Sequence, residues 1–318
     1  MSFQTTPSRD VLDPGTLVGG YEIQRSIGKG GFSLIYLAVD QDGGDEVVLK
    51  EYFPKKVASR DWRGHIMAAG SSQAEGLERG RKLFFQEARA LASLRHPNIV
   101  QVLGFFLAND TAYLVMQYER GKNLAAYIQE RGGGLSTAFI LHVFVPILDA
   151  LAMLHSRSML HLDVKPGNIH LRHGNFPLLL DLGAVHPLTG GHPRGGQVIT
   201  AGFSPVEQYY KTGNIGPWSD VYAVGASIRN CMDGKTPPPA VDRHSNDTLV
   251  PAQEQFRGRY PAYLLEAVDW ATQMEPDRRP QDAGELLHVF RRNLDAGAAP
   301  GLRLSEPLTE TRGGGGGG

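Results

Sequence analysis

The stretch His161-Leu162-Asp163-Val164-Lys165-Pro166-Gly167-Asn168 sets a carboxylate, an ammonium and an amide at short fixed spacing. An aspartate on a rigid loop can accept the proton of an attacking hydroxyl. Lys165 can neutralise a migrating phosphoryl group, and Asn168 can ligate Mg²⁺. Asp181-Leu182-Gly183 follows soon afterwards and supplies a second metal-binding carboxylate. Hard oxygen ligands combined with phosphates suit Mg²⁺. Asp163 or Asp181 alone could be an ordinary surface carboxylate, but joined to Lys165 and Asn168 they read as a phosphoryl-transfer set.

Two upstream features fit the same chemistry. Gly28-Lys29-Gly30-Gly31-Phe32-Ser33-Leu34-Ile35 lies between two predicted strands, not between a strand and a helix, so it is suited to cover a nucleotide from above. Alone it fits a plain hairpin turn equally well. Lys50 closes the apolar run Val47-Val48-Leu49. By itself it reads as a snorkelling surface lysine, but a carboxylate such as Glu87 could orient it toward α- and β-phosphates.

The elements that must position these residues follow from hydrophobic pattern. Tyr21 to Ile27, Leu34 to Val39 and Glu46 to Glu51 predict three strands of an antiparallel meander, joined by glycine-rich turns. Residues 52 to 80 show no sustained period and read as a solvated loop, with a docking role as the alternative. From Arg81, Leu83, Phe84, Ala88, Leu91, Ala92 and Leu94 recur at helical spacing until His96-Pro97. Ile99 to Phe106 and Ala112 to Gln117 complete a small sheet with one helix.

After Gly121 the pattern turns helical. Helices are predicted over Leu124 to Arg131, over Ser136 to Ser156 with Ser136 as cap, and over Ser219 to Cys231, Pro261 to Met274 and Asp282 to Leu294. A short hairpin is predicted for Ile169 to Leu171 and Leu178 to Leu180 around His173-Gly174-Asn175. The expected architecture is therefore α+β: a small antiparallel sheet lobe with one main helix, about 20–119, and a larger, mostly helical lobe, about 120–294. Residues 1–19 read as a loose lead-in, and 295–318, ending in Gly313 to Gly318, as a disordered tail.

Composition narrows the function classes. The 318 residues carry 32 basic and 33 acidic side chains, so no global charge draws the chain to nucleic acid or an anionic membrane. Leu135 to Leu154 is the most apolar long region, but His142, Pro146 and Asp149 interrupt it, and it reads as a buried helix. The lone Cys231 suits a reducing, cytoplasmic compartment. Among the histidines, His161, His170 and His173 lack cysteine or carboxylate partners at ligand spacing, which disfavours zinc.

Taken in order, these motifs resemble the protein kinase family from about Tyr21 to Leu294. The matching elements are the glycine loop, the VVLK lysine, the helix glutamate, HLDVKPGN, DLG, SPVE, Asp220 in SDVYAVG and Arg279 in PDRRP. The segments FSPVEQY and KEYFP look like the bacterial, eukaryotic-like branch. The resemblance implies a two-lobed kinase fold using ATP and Mg²⁺. It implies nucleotide contacts from Ile27, Gly28, Lys29, Gly30, Gly31, Phe32, Ser33, Ile35, Lys50, Glu87, Met116, Gln117 and Tyr118, with Met116 at the back of the pocket and Gln117 to Glu119 as the hinge. It further implies catalytic Asp163 and Lys165, and metal-binding Asn168 and Asp181. Asp220 is expected to brace the catalytic loop, and Arg279 to pair with Glu207. Thr200, bonded to Asp163 and Lys165, resembles the serine/threonine class, whose partners are protein substrates and, with self-association, a second copy of the enzyme.

Three departures stand out: Ser33 for the third loop glycine, Leu182 for the usual phenylalanine, and Leu162 for the usual arginine beside the catalytic aspartate. The first two leave the chemistry intact. The third removes the partner of a phosphorylated activation-loop residue, such as Thr189, and implies activity independent of that phosphorylation. Two other functions compete. A pseudokinase scaffold usually loses the lysine, the base or the metal aspartate, and all three are present here. A small-molecule phosphotransferase of the same fold generally lacks the segment that Glu207, Asp220 and Arg279 stabilise.

Overall fold

The computed structural model describes residues 10–181, 186–187 and 199–295. It divides into two compact units. One comprises the chain to His96 together with Val100–Glu119; the other comprises Pro97–Ile99 and the chain from Arg120.

The first unit is an antiparallel sheet carrying one long helix. Its strands are β1 (Leu17–Val18), β2 (Tyr21–Lys29), β3 (Ser33–Asp40), β4 (Glu46–Tyr52), a separate hairpin of β5 (Ala58–Arg60) and β6 (Ile66–Ala68), and then β7 (Val102–Ala108) and β8 (Thr111–Gln117). The main sheet runs in the order β1-β2-β3-β4-β8-β7. Strands β3, β4 and β8 each carry three aromatic or β-branched residues, the types that a pleated, half-covered surface favours. Ile23, Leu34, Tyr36, Leu49, Phe53, Tyr113 and Val115 form the buried core beneath them. In register, Lys50 stands opposite Ile35 on β3 and Leu114 on β8.

Two expectations for this unit are corrected. The lead-in is not wholly loose: β1 pairs with β2, and Leu12 and Val18 enter the core, although Asp13 to Gly15 and Leu17 are exposed. Single apolar residues among prolines and glycines carry no period, so their burial is invisible until the sheet is assembled. The 52–80 stretch is not a solvated loop. It holds the β5–β6 hairpin, whose Ala58 and Ile66 are buried, and helix α1 (Ala74–Leu91) begins well before Arg81. Gly76 and Gly80 lower helix propensity across that first half, and tertiary packing of Leu77 against the core overrides them.

The second unit is mainly helical: α2 (Leu124–Arg131), α3 (Thr137–Ser156), α4 (Pro217–Asp233), the short α5 (Ala240–Ser245) and α6 (Ala252–Gln255), α7 (Ala262–Ala271) and α8 (Ala283–Asp295). The Ser136 hydroxyl caps α3 by accepting from the Phe139 amide at 3.2 Å. By length and composition α3 could cross a membrane, but Ile140, Leu141, Phe144, Ile147, Leu148 and Leu151 are fully buried within the fold. Small strands complete the unit. These are β9 (Lys122–Asn123), β10 (Met159–Leu160), β11 (Ile169–Leu171), β12 (Pro177–Leu179) and β13 (His186–Pro187). The predicted hairpin is β11–β12, and β9 adds to its free edge. Ile99 was expected to open a strand of the first sheet; instead it bridges to Leu179 here, and β7 begins at Val102.

Candidate active site

The 161–168 loop is built from its backbone upward. Asp220, wholly buried near the start of α4, accepts from the amides of His161 at 2.9 Å and Leu162 at 2.7 Å, and from His155 Nε2 at 3.0 Å. Burial is the largest single influence and pushes this carboxyl up, but the His155 hydrogen bond, the charges of His155 and His161 and the His161 amide together outweigh it and hold the group below the usual carboxylate range. His161 sits between two partners. Its Nε2 donates to the Leu180 carbonyl at 3.1 Å while its Nδ1 accepts from the Asp163 amide at 3.3 Å, an arrangement satisfied by the neutral Nε2–H tautomer. It buttresses the loop, as its family counterpart does.

Asp163 is 5% exposed and its carboxylate is held on both oxygens. Oδ1 accepts from Lys165 Nζ at 2.9 Å and from the Thr200 hydroxyl at 2.7 Å. Oδ2 accepts from Lys165 Nζ at 2.8 Å and Asn168 Nδ2 at 2.9 Å. Lys165 also donates to Thr200 Oγ1 at 3.0 Å. The carboxylate is thereby fixed in orientation, the positioning that a general base requires.

Asn168 shows the fit to a hard cation. Its amide nitrogen donates to both the Asp163 carbonyl, at 2.8 Å, and the Asp163 side chain. Its carbonyl oxygen is therefore the end left to act as ligand. Asp181 follows directly from Leu180, whose amide donates to the backbone carbonyl of Asn168 at 2.8 Å and whose own carbonyl accepts from His161 Nε2. These two bonds bring Asp181 next to the 161–168 loop, and its own backbone is left-handed, φ 58°. One amide oxygen and one carboxylate suit Mg²⁺, which keeps its remaining positions for water and phosphate.

The segment after Asp181 is tied down from its far end. Glu207 forms a buried ion pair with Arg279 at 2.7 Å and accepts from Ser219 Oγ at 2.8 Å. Gln208 donates to the Leu162 carbonyl at 2.9 Å, and Ser204 Oγ accepts from the Thr200 amide at 2.9 Å. Sequence reasoning found Glu207, Arg279, Asp220 and Thr200 through the resemblance. It missed Gln208, Ser204, Ser219 and His155, whose side chains act on backbone groups or on other side chains that only the fold brings near. Leu182 and Thr189 lie outside the described residues.

In the first unit, the glycine loop spans the turn from β2 to β3. The Gly30 amide donates to the Ser33 carbonyl at 2.8 Å, while the amides of Phe53 and Lys55 donate to the carbonyls of Phe32, at 2.8 Å, and Gly31, at 3.2 Å. None of Gly28, Gly30 and Gly31 has a positive φ; a Cβ would sit 3.3 Å from Ile35 at Gly28 and 3.2 Å from the Ser33 hydroxyl at Gly30, whereas nothing lies within 4 Å of one at Gly31. Ser33 is buried and Ile35 half-buried, whereas Ile27, Lys29 and Phe32 are exposed. Lys50 is 6% exposed, so it is no surface lysine. Met116 is buried at the end of β8, Gln117 is exposed and Tyr118 half-buried. Glu87 lies on α1; its side chain is outside the described residues.

A buried network that the sequence reading missed stands beside Lys50. Glu51 is fully buried and accepts from the hydroxyls of Tyr36, at 2.9 Å, and Tyr113, and from Arg60 NH2 at 2.5 Å. Burial and the Glu51 charge push both tyrosines well above their ordinary range. For Arg60, burial is the largest single influence and lowers it, but the hydrogen bond and charge of Glu51, with Tyr36 and Tyr113, together outweigh it and raise the guanidinium. Alternation along β4 could have pointed to Glu51, since a charge on the core side of a strand demands a partner.

Comparison with known proteins agrees with this geometry. The protein kinase domain model matches residues 21–288. Serine/threonine-protein kinase D of Synechocystis is 28% identical over 89% of this chain and 54% of its own length. The DNA damage-responsive serine/threonine-protein kinase RqkA of Deinococcus radiodurans is 27% identical over 89% of this chain and 41% of its own. PknK of Mycobacterium tuberculosis is 29% identical over 87% and 24%. The chain thus spans about half, or less, of the length of these curated relatives. Among solved structures, the apo form of PpkA-294 superposes with a TM-score of 0.77 at 31% identity, covering 88% of this chain and 99% of that one. With the loop, its brace and the glycine turn all present in order, the chain belongs to the protein kinase family, in the bacterial branch of eukaryotic-like serine/threonine kinases.

Proposed function

We propose that this chain transfers the γ-phosphate of Mg²⁺-bound ATP to serine or threonine hydroxyls of proteins, itself included. The observation that carries the reading is the Asp163 carboxylate, buried and held on both oxygens by Lys165, Thr200 and Asn168. In this reading Asp163 takes the proton from the attacking hydroxyl as its oxygen bonds to phosphorus and the bond to the ADP oxygen breaks. Lys165 donates to the phosphoryl oxygens in flight. Asn168 and Asp181 would hold Mg²⁺, which neutralises charge on the phosphates. Lys50, paired with Glu87, would hold α- and β-phosphates; Gly28 to Ser33, with Ile27 and Ile35, would cover the nucleotide, and Met116, Gln117 and Tyr118 would face the base.

The Thr200 hydroxyl bridging Asp163 and Lys165 supports the serine/threonine class. A cytoplasmic setting is part of the proposal, supported by the single, buried cysteine.

The test is γ-phosphate transfer to a protein acceptor by the wild type and by Asp163→Asn, with and without EDTA. Asp163→Asn should lose about 10³-fold in rate while remaining folded, and EDTA should abolish transfer. An inactive wild type that still binds ATP would instead mark a scaffold. Phosphate appearing on tyrosine, or on a small-molecule alcohol alone, would overturn the assigned substrate class.

A further inference from the structure

Helix α1 carries Glu87, and what sets its seat on the sheet is legible around Gly80. The space a Cβ at Gly80 would need is already filled by the hydroxyl and ring edge of Tyr52, the last residue of β4. Tyr52 is itself fixed. It is buried, its ring lies 5.6 Å from that of Phe84 on the next turn of α1, and its carbonyl accepts from Thr111 Oγ1 at 2.6 Å. Glycine in a helix interior is disfavoured relative to alanine, so the local sequence gives no reason for it; the tyrosine does. Gly76, one turn earlier, is the contrast, since nothing lies within 4 Å of a Cβ there.

The adjacent residue supplies a second stop. Arg81 NH1 donates at 3.0 Å to the carbonyl of Asp110, in the β7–β8 turn where Asn109 and Asp110 are both left-handed, φ 51° and 57°. The β5–β6 hairpin holds the same turn from its other side. His65 Nδ1 meets the Asp110 carboxylate at 2.8 Å, and the Ile66 amide donates to the Asn109 carbonyl at 2.9 Å. Leu77 anchors the helix on the core.

We propose that Gly80 and Tyr52, backed by Arg81 on the Asp110 turn, are positioning residues: they set the depth and register of α1 on the sheet and so place Glu87 for Lys50. This rests on the kinase reading above, and on Glu87 as the partner of Lys50. It gives the 52–80 stretch a task, because the hairpin holds the turn that stops the helix.

Three variants test it in the full chain: Gly80→Ala, Gly76→Ala, and Gly80→Ala combined with Tyr52→Leu. The readouts are kcat, KM for ATP, and hydrogen–deuterium exchange of the α1 amides. Gly80→Ala should lower kcat about tenfold or more through displacement of the helix, and the double variant should return to within about threefold of wild type. Exchange in α1 should quicken in Gly80→Ala, whereas Gly76→Ala should keep wild-type activity and exchange more slowly. Equal behaviour of the two alanine variants, or a double variant no better than Gly80→Ala, would overturn the proposal. If the wild type transfers no phosphate, the kinase reading fails on that result, and exchange alone then decides the seat: faster in Gly80→Ala than in Gly76→Ala upholds it, equal rates reject it.

Discussion

Leu162 is the side chain on which the proposed independence from activation-loop phosphorylation rests. Its amide and carbonyl keep the loop in place, donating to Asp220 and accepting from Gln208, so the backbone role is complete. The side chain, only 5% exposed and on a left-handed backbone of φ 58°, packs with Leu160 and Ile215. An arginine at this position would offer a charge to a phosphorylated activation segment; a leucine in an apolar cluster offers none. Phosphatase treatment should therefore leave the transfer rate within about twofold, since no phosphate-dependent contact is lost here. A large fall in rate would show that another cation does the arginine's work. Thr200 and Ser204 are already engaged in holding Asp163 and the local backbone, which makes them poor sites for regulatory modification.

At the scale of elements, buried polar contacts decide which segments stay together. Arg279 donates to Glu207 and to the carbonyls of Gln273, at 2.7 Å, and Met274, at 2.7 Å, so one guanidinium joins the approach to α8 with the 206–209 turn. With both side chains almost fully buried, removing one partner strands a charge. Arg279→Met should cost about 3–5 kcal/mol in urea unfolding. Adding Glu207→Gln should recover part of that loss, because the stranded carboxylate is then gone. A cost that simply added across the two sites would show that they act independently.

For the molecule as a whole, each unit has its own core, and the second depends on a carboxylate for its central loop. Asp220 is depressed in the folded state, so its contribution is complete above the unfolded value of about 3.9 and is lost as pH falls through the folded value. Trp218 and Trp270 report on this unit, while Trp62 belongs to the first and is 86% exposed. Tryptophan fluorescence should therefore show wild-type stability falling as pH drops below about 4. Asp220→Asn should be less stable at neutral pH, with a shallower decline over the same acid range. An unchanged slope would assign acid sensitivity to other carboxylates.

Much of this protein was legible in its sequence, and the reasons are local. Short-range spacing brings the candidate set together, because Asp163, Lys165 and Asn168 share one loop and meet there directly. Period and capping carried α2, α3 and the β11–β12 hairpin, since helices and hairpins are made by neighbours in the chain. The stretch from 52 to 80 was misread because its order comes from elsewhere. Arg60 is satisfied by Glu51, Ile66 by a core of distant strands, and Gly80 by Tyr52. Likewise, Leu12 and Val18 look like stray apolar residues until β2 and Tyr36 cover them. Chemistry confined to one loop could be read from residue types, whereas burial of irregular segments was settled by contacts between residues far apart in the chain, which no local pattern encodes.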